Sequence, residues 1–161
     1  MEKRKITFEL VVYGSKEELG MEDAQLMEMA IHARERAYSP YSNFKVGAAV
    51  LLDNGEIVEG NNQENACYPA GLCAERVAVF YASSKYPNVP IKTIAISATS
   101  KNHAMDRPAA PCGNCRQAIS EYEMRQLRPI SIIMSGETGK VLKCHSVSDI
   151  LPLAFNSSFL G

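Results

Sequence analysis

Residues 5–13, KITFELVVY, set Ile6, Phe8, Leu10 and Val12 against Thr7 and Glu9, a period of two that predicts a strand. From about 22 to 38 the period changes. Leu26, Ala30, Ala33 and Ala37 recur at helical spacing, and SPYSN ends the helix. FKVGAAVLLDNGEIVEG then reads as a hairpin that turns at Asp53, Asn54 and Gly55. A helix of small and apolar residues follows in CAERVAVFYASS, and IKTIAISA, apolar on both faces, has the pattern of a central strand. CGNCRQAISEYEM is a helix, and PISIIMSG and GKVLKCHSV are strands. VSDILPLAF opens a short helix with Ser148 as its cap and Pro152 as its limit. Strands alternating with helices predict an α/β layered domain with its sheet between helices. No repeat, low-complexity segment or Pro/Gly/Ser linker divides the chain, so one domain over 1–161 is expected.

Composition narrows the function. Among 161 residues, Lys plus Arg number 17 against 18 for Asp plus Glu, a net charge of −1. No basic field exists to hold a polyanion, which counts against nucleic-acid and anionic-membrane binding. The start, MEKRKITFEL, lacks the apolar run of a signal peptide, and no run is long enough to cross a bilayer. The expectation is a cytoplasmic protein with reduced thiols. Five cysteines, an odd number, also argue against a closed disulfide framework.

The thiols are therefore available for chemistry. Cys112 and Cys115 lie three apart in PCGNC, and Cys73 precedes a second helical pattern in GLCAERVAVF. A helix N-terminus favours thiolate over thiol. Three thiolates in a reducing compartment suit Zn2+. Cys67, Cys144, His32, His103 and His145 show no ligand-like spacing for a fourth position, and three ligands with an open site is the catalytic arrangement. Glu75 follows Cys73 by two. If Cys73 is the non-helical cap residue, both side chains can face the metal, where a carboxylate acts as general base and then general acid.

The pattern C-x-E in CAE followed by P-C-x-x-C in PCGNC resembles the signature of zinc-dependent cytidine deaminases. YSPYSNFKVGAAV, GNNQENACYPAGLCAERVAVF, PCGNCRQAISE and LPLAF extend the resemblance to the small homotetrameric members over about residues 25–155. The resemblance implies a three-layer α/β/α sandwich with a mixed central sheet. It also implies hydrolytic deamination of cytidine and deoxycytidine in pyrimidine salvage, with zinc-bound hydroxide as nucleophile. Cys73, Cys112 and Cys115 would hold Zn2+, and Glu75 would shuttle protons. Asn62 and Glu64 would bind the ribose hydroxyls and Phe44 would pack on the pyrimidine. Ala66, Tyr68 and the N–H of Ala74 would bind the base, and Phe155 would close the pocket of a neighbouring subunit in a homotetramer with shared active sites.

Three thiolates on Zn2+ leave a formal charge of −1, which makes the metal a weaker Lewis acid. Arg76 can restore the balance by donating hydrogen bonds to the thiolates, its alternative being a surface salt bridge. Competing readings are a deaminase of another cytosine nucleoside such as blasticidin S, a non-catalytic zinc module and a dithiol oxidoreductase. The last leaves Cys73 unexplained. An N-terminal extension at about 1–21 exceeds a minimal member. Cys67 and Cys144 are expected to be buried small residues, and the loop at 101–110 carries no assigned role.

Overall fold

The computed structural model describes all 161 residues. Six strands form one mixed sheet: β1 (Val11–Tyr13), β2 (Phe44–Leu52), β3 (Ile57–Asn61), β4 (Ile91–Ser100), β5 (Ser131–Ser135) and β6 (Val141–Cys144), in the order β1-β6-β5-β4-β2-β3. Only β4 and β5 run parallel; the other neighbours are antiparallel. The helices are α1 (Met21–Glu35), α2 (Ala74–Lys85), α3 (Gly113–Gln126) and α4 (Val147–Ile150).

Strand alternation builds the three layers. Ala48, Val50 and Leu52 of β2, Ile94 and Ile96 of β4, and Ile132 and Met134 of β5 pack on one face with Ala78 and Val79 of α2, Ile119 of α3 and Val147 of α4. Their alternates Ala49, Leu51, Ala95 and Ile133 face the other way, against Leu26, Met27 and Ala30 of α1. A one-residue register slip in any of these strands would exchange the two sets, so burial on both faces specifies the pairing. The layered α/β/α architecture is the one expected from the sequence.

The helix packing depends on two strand glycines. A Cβ on Gly47 would collide with the backbone of α1 at Ala30 and Arg34, and one on Gly60 would lie 2.5 Å from Ala78 N and 2.7 Å from Ala74 O of α2. Gly60→Ala must therefore push α2 off the sheet. It is expected to cost at least ~1–3 kcal/mol of stability, read as a lowered denaturation midpoint. A midpoint equal to the parent's would show that α2 does not need this approach.

Three local expectations are corrected. The strand expected at 5–13 forms only at Val11–Tyr13, where β6 offers Val141–Lys143 as partners; β6 ends at Cys144, and residues 5–10 run past it with no ladder to join. The cap of the last α-helix is Ser146, not Ser148. Ser146 Oγ accepts from Ser148 N at 3.1 Å, and Asp149 Oδ2 accepts from Ser146 N at 3.0 Å. Asp149 stands three residues after Ser146, which is the capping-box spacing. Cys144 is buried as expected, but Cys67 is exposed.

Candidate active site

Two helix starts meet beside the central strands. Cys73 is the N-cap of α2, with φ −73° and ψ 151°, and Cys112 is the N-cap of α3, with φ −66° and ψ 169°. Extended backbone at both caps turns these side chains away from the helical spiral. Cys115, in the first turn of α3, is buried, whereas Cys112 is exposed. The three Sγ atoms lie within 4.8 Å of one another, with Cys112 to Cys115 at 3.5 Å and Cys73 to Cys112 at 4.0 Å. Thiolates ~2.3 Å from a tetrahedral zinc are spaced at ~3.8 Å. The donor set therefore fits Zn2+. No His, Asp, Glu or further Cys joins the cluster, which leaves the fourth position open.

Segments distant in sequence hold this geometry. Gln63 and Leu72 exchange backbone hydrogen bonds at 2.9 Å each, immediately before Cys73. Tyr38 N donates to Asn62 O at 3.0 Å and Glu64 N to Tyr38 O at 2.9 Å, which brings the 38–44 segment alongside. Arg116 secures the other cysteines. Its Nε donates to Pro111 O and its Nη1 to Ile150 O, both at 2.8 Å, pinning the entry to α3 against α4. Sequence reasoning missed Arg116, whose one signal was its position one turn after Cys112.

Electrostatics then distinguish the groups. Cys73 is lowered to about 5, first by a hydrogen bond from the Cys115 thiol and further by Arg76 and Cys112, against the opposing effect of burial. Cys115 is pushed up correspondingly, because it is the thiol that donates to Cys73. One member of the cluster is thus ready as a thiolate before a metal arrives. Glu75, only 4% exposed, is pushed up chiefly by burial and also by the Cys73 charge; its own backbone N–H, Cys115 and Arg76 pull the other way. Arg76 Nη2 lies 3.8 Å from Cys73 Sγ, and its Nε is buried without a partner. An unpaired buried guanidinium N–H is costly, and an anionic cluster beside it offsets that cost by charge.

A cavity of about 390 Å³ opens beside Cys73 and Arg76, lined also by Asn62, Glu64, Tyr68 and Tyr41. Neither Asn62 nor Glu64 is simply solvated. Asn62 Oδ1 accepts from Val46 N at 2.8 Å and its Nδ2 donates to Phe44 O at 2.9 Å, continuing the β2 ladder with a side chain. The Glu64 carboxylate accepts from Tyr41 N at 2.9 Å, Ser42 N at 3.3 Å and the Ser42 hydroxyl. Burial opposes its ionisation, but the hydrogen bonds from Ser42 and Tyr41 together hold it below the usual carboxylate range. Tyr41 and Ser42 are wall residues that the sequence did not single out, and the tilted Tyr41–Tyr68 ring pair, centroids 6.1 Å apart, stands at this cavity.

Ala74 is buried at the first turn of α2, next to Cys73. Phe44 is half-buried at the start of β2 and Ala66 is exposed; neither lines the cavity, nor does Phe155. Phe155 lies outside any helix, is 58% exposed and stacks on Phe159 with centroids 5.5 Å apart.

Residues 21–128 match the family model for the cytidine and deoxycytidylate deaminase zinc-binding region. The chain is similar to a cytidine deaminase of Halalkalibacterium halodurans, 39% identical over 137 residues, covering 85% of this chain and 96% of that one. It is also similar to one of Sporosarcina psychrophila, 36% identical over 141 residues, with 88% and 96% covered. The crystal structure of a cytidine deaminase from Burkholderia pseudomallei superposes with a TM-score of 0.72 at 37% identity, over 85% of this chain and all of that one. A three-thiol site on two helix N-termini, with a buried carboxylate between them in sequence and a family-model match over residues 21–128, leads to one assignment: this chain belongs to the cytidine and deoxycytidylate deaminase family.

Proposed function

We propose that this chain deaminates cytidine and deoxycytidine by hydrolysis, releasing ammonia and giving uridine and deoxyuridine, in cytoplasmic pyrimidine salvage. The observation that carries this reading is Glu75, a buried carboxyl in the first turn of α2, two residues after the Cys73 cap and in the field of the three-thiol cluster.

Cys73, Cys112 and Cys115 hold Zn2+. Zinc in such a site supplies Lewis acidity and brings the pKa of a water towards neutrality. Glu75 moves the protons. It takes one from the attacking water, gives one to the ring nitrogen beside carbon 4, and passes the remaining hydroxyl proton to the departing amino group. The C–O bond forms at carbon 4 and the C–N bond there breaks. Burial raises the Glu75 carboxyl and so lets it keep a proton between transfers. Arg76 balances the thiolate charge from behind Cys73.

Asn62 and Glu64 position the ribose. A carboxylate has about four acceptor sites, and Tyr41 N, Ser42 N and the Ser42 hydroxyl occupy three at Glu64, leaving room for a sugar hydroxyl. Both side chains are already held by backbone, so little ordering remains to be done on binding. Tyr68 at the cavity and the Ala74 N–H beside Cys73 contact the base, whereas Phe44 and Ala66 stand outside the cavity of the single chain. A neighbouring subunit's Phe155 closes the pocket in a homotetramer, a role that its exposure in the single chain leaves it free to take. No helix is long and apolar enough to cross a membrane.

Substrate size tests the reading. A phosphate on the bound ribose would stand near Glu64, and like charges ~4–6 Å apart repel by at least ~1 kcal/mol. With a net charge of −1, the chain offers a phosphodiester backbone no electrostatic track. Cytidine and deoxycytidine are expected to turn over, cytidine monophosphate poorly and a short cytosine oligonucleotide not at all, followed by the fall in cytidine absorbance. Comparable rates on the oligonucleotide would move the protein to polynucleotide editing. Preference for blasticidin S in the same assay would replace cytidine as the substrate.

A further inference from the structure

The arm that precedes α1 lies before the family match, which starts at residue 21. It carries a strand pattern of which only Val11–Tyr13 is paired. Ile6, Phe8, Leu10 and Val12 fall on one face and Lys5, Thr7 and Glu9 on the other. In the single chain this apolar row is open to solvent, with Ile6 61% and Phe8 49% exposed. β1 is also the terminal strand of the sheet, so β6 occupies one of its edges and the other has no partner. An unpaired edge continued by an amphipathic arm is a template for strand addition.

The arm's own charges select its partner. An antiparallel pair of identical arms can be centred on any residue, and the centre decides which side chains oppose. Centring on Lys5 sets Lys5 against Lys5, and centring on Glu9 sets Glu9 against Glu9. Any centre between two residues places the apolar face against the polar one. Centring on Thr7 sets Lys5 opposite Glu9 twice, Ile6 opposite Phe8 twice and Thr7 opposite Thr7. Centring on Ile6 or Phe8 also matches the faces, but it sets Lys5 opposite Thr7 or Val11, so Thr7 is the centre that pairs Lys5 with Glu9.

We propose that the arm docks a second copy of this chain: residues 3–11 of two copies pair antiparallel about a two-fold axis through Thr7 and join their sheets through the open β1 edges. The contact is independent of the deaminase reading. It makes the N-terminal arm an assembly device added to the shared catalytic domain.

Thiol cross-linking of the full chain reads the register. Opposed Thr7 Cα atoms would be ~4.5–5.5 Å apart, within the ~4.4–6.8 Å a disulfide spans. Two Lys5 residues would be ~13 Å apart along the ribbon, beyond its reach. Under mild oxidation, Thr7→Cys is expected to form a linked pair at least ~10-fold faster than Lys5→Cys. Lys5→Cys mixed with Glu9→Cys should link as Thr7→Cys does, with the parent chain run alongside because its own Cys67 and Cys112 are exposed. Adding Lys5→Glu to Thr7→Cys should slow linking on the order of 10-fold, and adding Glu9→Lys as well should restore it. Equal linking by Lys5→Cys and Thr7→Cys, linking of Thr7→Cys no faster than the parent, or indifference to Lys5→Glu would each overturn the proposal.

Discussion

Glu75→Gln is expected to retain its zinc and its fold while losing at least ~100-fold in turnover of cytidine. The side chain is buried, so the replacement must match its volume, and Gln does. Desolvation is already the main influence raising this carboxyl. A neutral amide in the same space therefore carries no new burial cost, and thermal stability should hold or rise. The amide cannot accept and return a proton, and all three proton movements assigned to Glu75 are lost together. That makes ~100-fold a lower bound, since a single general acid–base step already contributes that much. The measurement is kcat for cytidine alongside metal content and melting temperature. Activity within a few-fold of the parent, with zinc present, would remove Glu75 from the proton path and leave its burial as a packing feature.

Cys112→Ala is expected to empty the metal site. After passage over a chelator, zinc should fall from about one per chain to under ~0.1, because two thiols with no further donor cannot retain it. Cys112 is the informative member of the set. Cys115 is buried, and truncating it would leave a void whose structural cost would obscure the result. Cys112 is exposed at the cap of α3 and makes no capping hydrogen bond with its side chain, so its loss should leave the helix intact by circular dichroism. Full zinc occupancy in this variant would mean that the metal is held by other residues.

Much of the site was legible because its spacing is short. Cys112 and Cys115 are a helical turn apart, so local geometry alone brings them together, and Cys73 and Glu75 sit at one helix start, with Cys73 in the extended cap. The supporting residues were less legible. Arg116 reaches Pro111 and Ile150, and Ser42 reaches Glu64 across 22 residues, contacts that exist only once α3 meets α4 and the 38–44 segment lies beside residue 62. Asn62 reads as a polar residue at the end of a hairpin, yet it replaces backbone in the β2 ladder. Arg34, in the last turn of α1, is buried against Ser97 Oγ at 2.9 Å, a polar contact inside strands whose pattern is otherwise apolar.

Local periodicity was enough to place some elements: the alternation that splits β2, β4 and β5 between two cores, the turn at Gly55, and the helices that begin at the cysteines. Other features need a partner from elsewhere in the chain and form only on folding. Ser146 rather than Ser148 became a cap because Glu123 of α3 also accepts from the Ser146 hydroxyl at 2.6 Å and from Val147 N at 3.1 Å. Residues 5–10 have the side-chain pattern of a strand and remain unpaired because β6 ends before reaching them. A strand's side-chain period is written along its own residues, but its hydrogen bonds belong to a neighbour, and only the folded chain determines whether that neighbour is present.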